Sequence, residues 1–312
     1  MIASIGKQTV TAEVDMKKKY RMLENDTLPL ANGKKLYRIE SLIDFSNVKA
    51  GDIGGYIRGE PNLSHDGNAW VYGDAQVSGD AQVSGNARVY GDAWVYGDAW
   101  VSGNARVYGD AQVYGNARVH GDAQVSGNAQ VYGNARVYGD AWVSGNARVY
   151  GDAWVSGDAW VHGDAQVSGN AQVSGNARVY GDAWVHGDAQ VSGDAQVSGN
   201  ARVYGDAWVY GDAQVYGNAR VYGDAWVSGN ARVYGDALIH NKNDCVWFSN
   251  VGTESGTLTA FKNRNGDLML TRGCFTGTVD EFLNKSAVVH DERVHREYKL
   301  LCEVAKSRIL NK

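Results

Sequence analysis

From Gly67 to His240 one pattern of six residues recurs without interruption, 29 times: Gly, Asp or Asn, Ala, then Gln, Arg or Trp, then Val, then Tyr, Ser or His. Ala and Val stand two apart, so on a strand they share a face and the residue between them points the other way. Gly followed by Asp or Asn is turn chemistry, because Gly adopts positive φ at little cost and an Asx side chain bonds nearby backbone. Each phrase therefore predicts a short strand and a corner. A helix is excluded: a Gly every six residues is costly, and the apolar period does not match 3.6. A six-residue period sustained this long predicts a parallel β-solenoid. The smallest closed coil with flat sides is a triangle of three phrases, or 18 residues, which gives nearly ten coils. At the inter-strand spacing of about 4.8 Å the rod is roughly 45 Å long. Val fills its interior at about 2 kcal/mol per buried side chain, as an upper estimate.

The flanks have a different texture, and three parts follow: an N-terminal cap (1–66), the array (67–240) and a C-terminal α+β domain (241–312). Residues 1–15 precede Met16 and read as an extension or an alternative start. PNLSHD (61–66) keeps the length of six but places Leu63 and His65 in the Ala and Val slots, as a degenerate first phrase. In the C-terminal part, VWFSNV, TLTAFKN and DLMLTRG predict strands, with Asn265-Gly266 as a hairpin turn. Thr278 and Glu281 form a capping box that predicts a helix to about Lys285. A second helix is expected over about 291–310, its apolar residues Tyr298, Leu300, Leu301, Val304, Ala305 and Ile309 set among charges.

The Ala-x-Val-x-Gly-Asx spacing resembles the hexapeptide repeat of left-handed parallel β-helix proteins, the trimeric LpxA-like fold of many acyltransferases. The left hand is implied by that resemblance alone, since the general crossover rule favours right. The segment LYRIESLIDFSNVKAGDIGGYIRGEPNLSHDGNAWV (36–71) resembles the N-terminal cap of hexapeptide-repeat proteins common in phages and prophages. LTAFKNRNGDLMLTRGCFTGTVDEF (258–282) is similar to the C-terminal domain that accompanies such arrays. The resemblance implies a phage or prophage setting and a homo-oligomer, dimer or trimer. It implies no firm activity, because this repeat specifies a fold far better than a function.

Charge and chemistry add little to the array. Its 17 Asp and 9 Arg leave it at −8 within a chain of −5. No basic stripe stands out, and a nucleic-acid partner is not expected. Three cysteines without regular spacing, Cys245, Cys274 and Cys302, are no disulfide framework. There is no secretory h-region and no apolar run long enough for a bilayer, so a cytoplasmic protein without a membrane contact is expected. The acyltransferase relatives eject a loop from one coil and place a catalytic His near a cleft between subunits; here 28 intervals of six pass with no ejected loop. His120, His162, His186 and His240 take the slot after Val or Ile, no two of them adjacent in a column, and that slot is expected to face solvent. Trp and Arg each fill the slot between Ala and Val nine times, scattered over three faces. Every Arg phrase begins Gly-Asn.

Local aromatic columns are expected nevertheless. Tyr96, Tyr114, Tyr132 and Tyr150 should stack on one face, Trp142 with Trp160 on another, and Trp208 with Trp226 on the third. Such stacks bind partners, sugars or bases, or simply stabilise a sheet. In the C-terminal part Cys274 precedes a helix start, with His295 as a candidate base beside it and Glu281 and His290 nearby. Arg264, Arg272, Cys274, Thr276 and Thr278 form a candidate anion-binding set at that helix start. No catalytic residue, metal or cofactor is assigned. The favoured reading is a non-enzymatic scaffold or binding protein whose end domains engage a host protein or a small anionic ligand, sequestering or occluding it. An acyltransferase and a virion fibre component are the rival readings.

Overall fold

The computed structural model describes residues 18–31 and 33–310. The proposed extension 1–15 lies outside them. The chain opens with an antiparallel meander, β1 (Tyr20–Pro29), β2 (Lys35–Ser41) and β3 (Ile53–Ile57). Twenty-nine two-residue strands follow, β4 to β32, from Trp70–Val71 to Leu238–Ile239. They form three parallel sheets in which each strand pairs with the strand three phrases on. Sheet I contains β5 and ends at β32; sheet II runs from β4 to β31, and sheet III from β6 to β30. The solenoid expected from the period is thus present, with about ten coils.

Its core follows from the pattern. Every Ala and Val of the 29 phrases, and Ile239 in the last Val slot, is essentially fully buried. The corner glycines all have φ between 58° and 78°. They also pass close to the next coil: a Cβ on Gly151 would sit 3.0 Å from the Gly169 amide nitrogen. Glycine is therefore required twice over, by conformation and by space.

Adjacent coils are joined through alternate slots. N–H groups of even slots donate to carbonyls of the following coil, as in Asn86 to Gly103, Arg88 to Ala105 and Tyr90 to Val107, and in the parallel register of Arg88 with Arg106 the slot-four carbonyl accepts in turn from a Val N–H of that coil. The first coil therefore presents the donors and acceptors of its odd slots to the N-terminal cap, and the last coil presents those of its even slots to the C-terminal domain. The N-terminal cap supplies donors to match. Backbone N–H groups of Tyr56, Arg58 and Ser64 donate to the carbonyls of Ala75, Val77 and Val83. The Asn62 amide donates to Gly79 and Ala81, the Arg38 guanidinium to Gly73, and the Lys19 ammonium to Ala69 at 2.9 Å. Burial at this edge lowers the Lys19 pKa to about 8.

The degenerate first phrase sits in a different frame from the one expected. Leu63, not His65, fills the Val slot, bridging to Val83 twenty residues on. Tyr56 and Ile57 pair with Gln76 and Val77 at the same offset of twenty. The two extra residues lie in the corner between Leu63 and Ala69. They release His65 from the interior to stack on Tyr20 at 4.4 Å. Trp70 stands in the outward slot but is buried under this cap, against Tyr20 and Phe45.

At the other end β33 (Cys245–Val251), β34 (Gly256–Lys262), β35 (Leu268–Arg272) and β36 (Phe275–Thr278) form an antiparallel meander, followed by α1 (Val279–Val289) and α2 (Glu292–Leu310). Helix α1 starts at the expected capping box, with Thr278 Oγ1 accepting the Glu281 N–H, and runs four residues past Lys285. The buried face of α2 is Val294, Tyr298, Cys302, Ala305 and Ile309. Leu300 and Val304, expected among its apolar set, are exposed, because the i, i+4, i+8 register of the buried residues turns them outward. The meander closes the rod: Thr259 Oγ1 accepts the Arg232 N–H and Thr271 Oγ1 donates to the Arg232 carbonyl. The Asp244 carboxylate accepts the N–H groups of His240 and Asn241.

Candidate functional site

Outward-facing side chains of the array are organised by columns one coil apart. Tyr96, Tyr114, Tyr132 and Tyr150 form the expected stack, with ring centroids 4.8, 4.9 and 5.0 Å apart and planes within 3° of parallel. Trp208 and Trp226 stack at 5.6 Å, whereas Trp142 and Trp160 meet edge to face at 5.3 Å. Sixth-slot tyrosines also donate to Gln in slot four, as Tyr108 does to Gln124 and Tyr150 to Gln166.

The sixth slot is more enclosed than expected. His162 and His186 are half-buried, each lying flat on the Tyr of the next coil, Tyr180 at 5.2 Å and Tyr204 at 5.0 Å. His240 leans on Tyr222 at 4.7 Å, and His120 is exposed, meeting Ser102 Oγ at 3.0 Å. The histidines thus replace tyrosine within aromatic columns. Burial, and secondarily Arg178 and Arg202, lower the pKa of His162 and His186 below the ordinary value. Folding therefore disfavours their protonation, so stability is full above the unfolded value near 6.5 and falls as pH drops below it. A thermal midpoint that declines below pH 6.5 is expected, with a smaller decline in the His162→Tyr/His186→Tyr variant; identical pH profiles would refute the assignment.

A feature the sequence pattern did not disclose is an amide ladder at the corners. Asn68 Nδ2 donates to Asn86 Oδ1, Asn86 to Asn104 and Asn104 to Asp122, each 18 residues on. The other corners repeat this: Asn116 to Asn134 to Asp152, and Asn200 to Asn218 to Asp236. Asn donates toward the following coil, and Asp can only receive. Nothing in the ladder explains why Arg phrases carry Asn.

In the C-terminal domain the five proposed anion-binding residues do not converge. Arg264 turns to the rod, donating to the Asn218 carbonyl at 2.8 Å and lying 3.8 Å from Asp236. Thr278 is engaged in capping α1, and Thr276 is exposed opposite Thr271. Arg272 and Cys274 do come together, lining a cavity of about 170 Å³. His290 lines it too, while His295 turns to Ser286 at 3.3 Å instead of to Cys274. Glu281 is held in the capping box, whose backbone bond at Thr278 lowers its pKa.

The cavity combines opposite characters. Its apolar wall is Phe275, Phe282 and Tyr298, with Phe282 edge-on to Tyr298 at 5.0 Å. Its polar wall holds Lys285, whose ammonium lies 5.5 Å above the Phe275 ring, together with Arg272 and Glu254. Arg272 donates to the Val251 carbonyl and is 3.9 Å from Glu254, and its Nε is buried without a partner. Among the described residues no cluster of three or more His, Cys, Asp or Glu has metal-binding geometry. No helix among them is long and apolar enough to cross a membrane.

The repeat itself is what comparison recognises. The family model described as YdcK Beta solenoid repeat matches residues 81–97, 99–113, 111–127, 129–145, 147–163, 171–187, 195–211, 213–229 and 225–241. This chain is a β-solenoid repeat protein. Each match is about one coil long, and all lie within the 18-residue lattice of β-solenoid sheets described above. No curated protein matches the chain.

Proposed function

We propose that the protein is a non-enzymatic β-solenoid scaffold whose C-terminal domain holds a small anionic ligand bearing an aromatic ring. The observation that carries this reading is the cavity lined both by the cationic Lys285 and Arg272 and by the rings of Phe275, Phe282 and Tyr298. An aryl carboxylate meets both walls, its ring on the aromatic side and its charge at the cations. The rod spaces this domain from the N-terminal cap. Resemblance to hexapeptide-repeat proteins supports a left-handed triangular coil, a homo-oligomer, a phage or prophage origin and a cytoplasmic site of action. Sequestering a small host metabolite is the role consistent with these features.

Cys274 offers a direct test, because it is exposed at the cavity. Cys245 and Cys302 are buried, and burial pushes their pKa values up to about 12 and about 11, so they react slowly with alkylating reagents. Benzoate should protect Cys274 from alkylation saturably in the full chain, and Lys285→Met should weaken that protection. An alkylation rate independent of benzoate would overturn the assignment of the ligand class.

A further inference from the structure

Sheet III carries an uninterrupted slot-four run of Trp100, Arg118, Arg136 and Trp154 on four successive coils, in register. Arg118 lies 5.8 Å from the centre of the Trp100 ring, and Arg136 lies 4.9 Å from that of Trp154. The two guanidiniums are therefore flanked by tryptophan on both sides. Among the described residues no arginine of the array is within ion-pair distance of a carboxylate, although the array carries a net negative charge. Asn116 and Asn134 occupy the adjoining corners, so the two Arg phrases place amides there where other phrases place aspartate. Trp100 and Trp154 are 47% and 41% exposed, and a groove of about 500 Å³ runs past Trp100, Arg118, Gln82, Asn116 and Asn134.

Two other Arg–Arg pairs exist, and neither has this setting. Arg88 and Arg106 lie beside the N-terminal cap, where Arg88 donates to Ser46. Arg202 and Arg220 have Trp184 on one side only, with Leu238 on the other.

We propose that this Trp-Arg-Arg-Trp run is a binding site for an acidic oligosaccharide. Adjacent like charges with no counter-ion favour one anionic group seated between them, and guanidiniums hold a carboxylate or sulfate by paired hydrogen bonds. Exposed indole faces accept the apolar C–H face of sugar rings on either side, while Gln82, Asn116 and Asn134 offer amides to hydroxyls. Two cations suit a ligand with sparse charge. A nucleic-acid strand, charged at every phosphate, would also face Asp80 and Asp98 in the same groove. This site goes beyond the C-terminal cavity and shares no residue with it, so either reading can fail alone.

The test is calorimetric titration of the full chain with a hyaluronan tetrasaccharide, in which a carboxylate-bearing sugar alternates with a neutral one, alongside neutral chitotetraose and a single-stranded oligothymidylate. Gln already fills slot four in ten phrases, so Arg118→Gln/Arg136→Gln and Trp100→Gln/Trp154→Gln place in slot four only a residue the array already uses there. Saturable binding of the hyaluronan tetrasaccharide is expected, weakened at least about tenfold by either double variant. Arg202→Gln/Arg220→Gln should leave it unchanged. Absence of saturable binding, equal losses in the Arg202/Arg220 control, or preference for oligothymidylate with a steep salt dependence would each overturn the proposal.

Discussion

Removal of residues 241–312 should convert the chain from a defined species into end-associated assemblies. The array ends on a coil whose even-slot N–H and C=O groups point outward, and the C-terminal meander is what meets them. Thr259 and Thr271 take the N–H and carbonyl of Arg232 as a following strand would, and Asp244 receives the N–H groups of His240 and Asn241. Phe261 and Cys245 belong to the same continuous core as the Ala and Val ladder. Truncation uncovers both the edge and the end of that core, leaving apolar surface in water and backbone groups without a protein partner. An uncovered edge recruits other edges. The N-terminal cap keeps the opposite end closed, so pairs joined through their C-terminal ends should dominate over long filaments. Sedimentation velocity would check this; a truncated chain that sediments as the intact chain does, scaled for mass, would remove the domain's capping role. The domain is thus both a terminator of the rod and the carrier of the cavity, and its loss cannot serve as a clean test of binding.

Deletions within the array should divide sharply by length. Removing residues 139–156, one full coil, keeps every corner glycine over another and every remaining column on its own face. Its thermal midpoint should stay within a few degrees of the parent's, because each coil contacts only its neighbours. Removing residues 139–144 also leaves a continuous array of phrases. It shifts the following phrases by one face and turns the C-terminal domain about the axis relative to the N-terminal cap. It also breaks the Tyr96 to Tyr150 column after Tyr132. Removing Ser144 alone is different in kind. A slip of one residue sends the interior set to the outside of the sheet. Three Val per coil, at about 2 kcal/mol each, put the loss on the order of 6 kcal/mol. Thermal unfolding followed by circular dichroism should rank the three as one coil, then one phrase, then one residue, the last far below. A single-residue deletion that melts with the parent would show that a corner absorbs the change. The corner between Leu63 and Ala69 does take two extra residues, but it lies under the cap, where Lys19 donates to the Gly67 and Ala69 carbonyls.

Much of this molecule was legible because its information is local and repeated. The period of six set the strand, the corner and the buried Ala and Val. Arithmetic in 18 placed Tyr96 on Tyr114 and Trp208 on Trp226 before any coordinates, since parallel in-register strands put identical slots above one another. The T-x-x-E box and Asn265-Gly266 turn act within a few residues and were equally plain. Other features rest on contacts between segments far apart in the chain, which no periodicity encodes. Leu63 rather than His65 entered the interior because the cap, not the phrase length, set the frame there. Lys19 and Asn62 became hydrogen-bond donors to the first coil because the rod's carbonyls emerge at that end. Arg264 and Arg272 stand eight residues apart in sequence, yet the hairpin sends one to the rod and the other to the cavity. Thus the sequence by itself determined the repeating coil, its core and its columns. Only the tertiary structure decided how the two ends are closed and which side chains meet there, because those contacts join segments far apart in the chain to the donors and acceptors left open at each end of the finished rod.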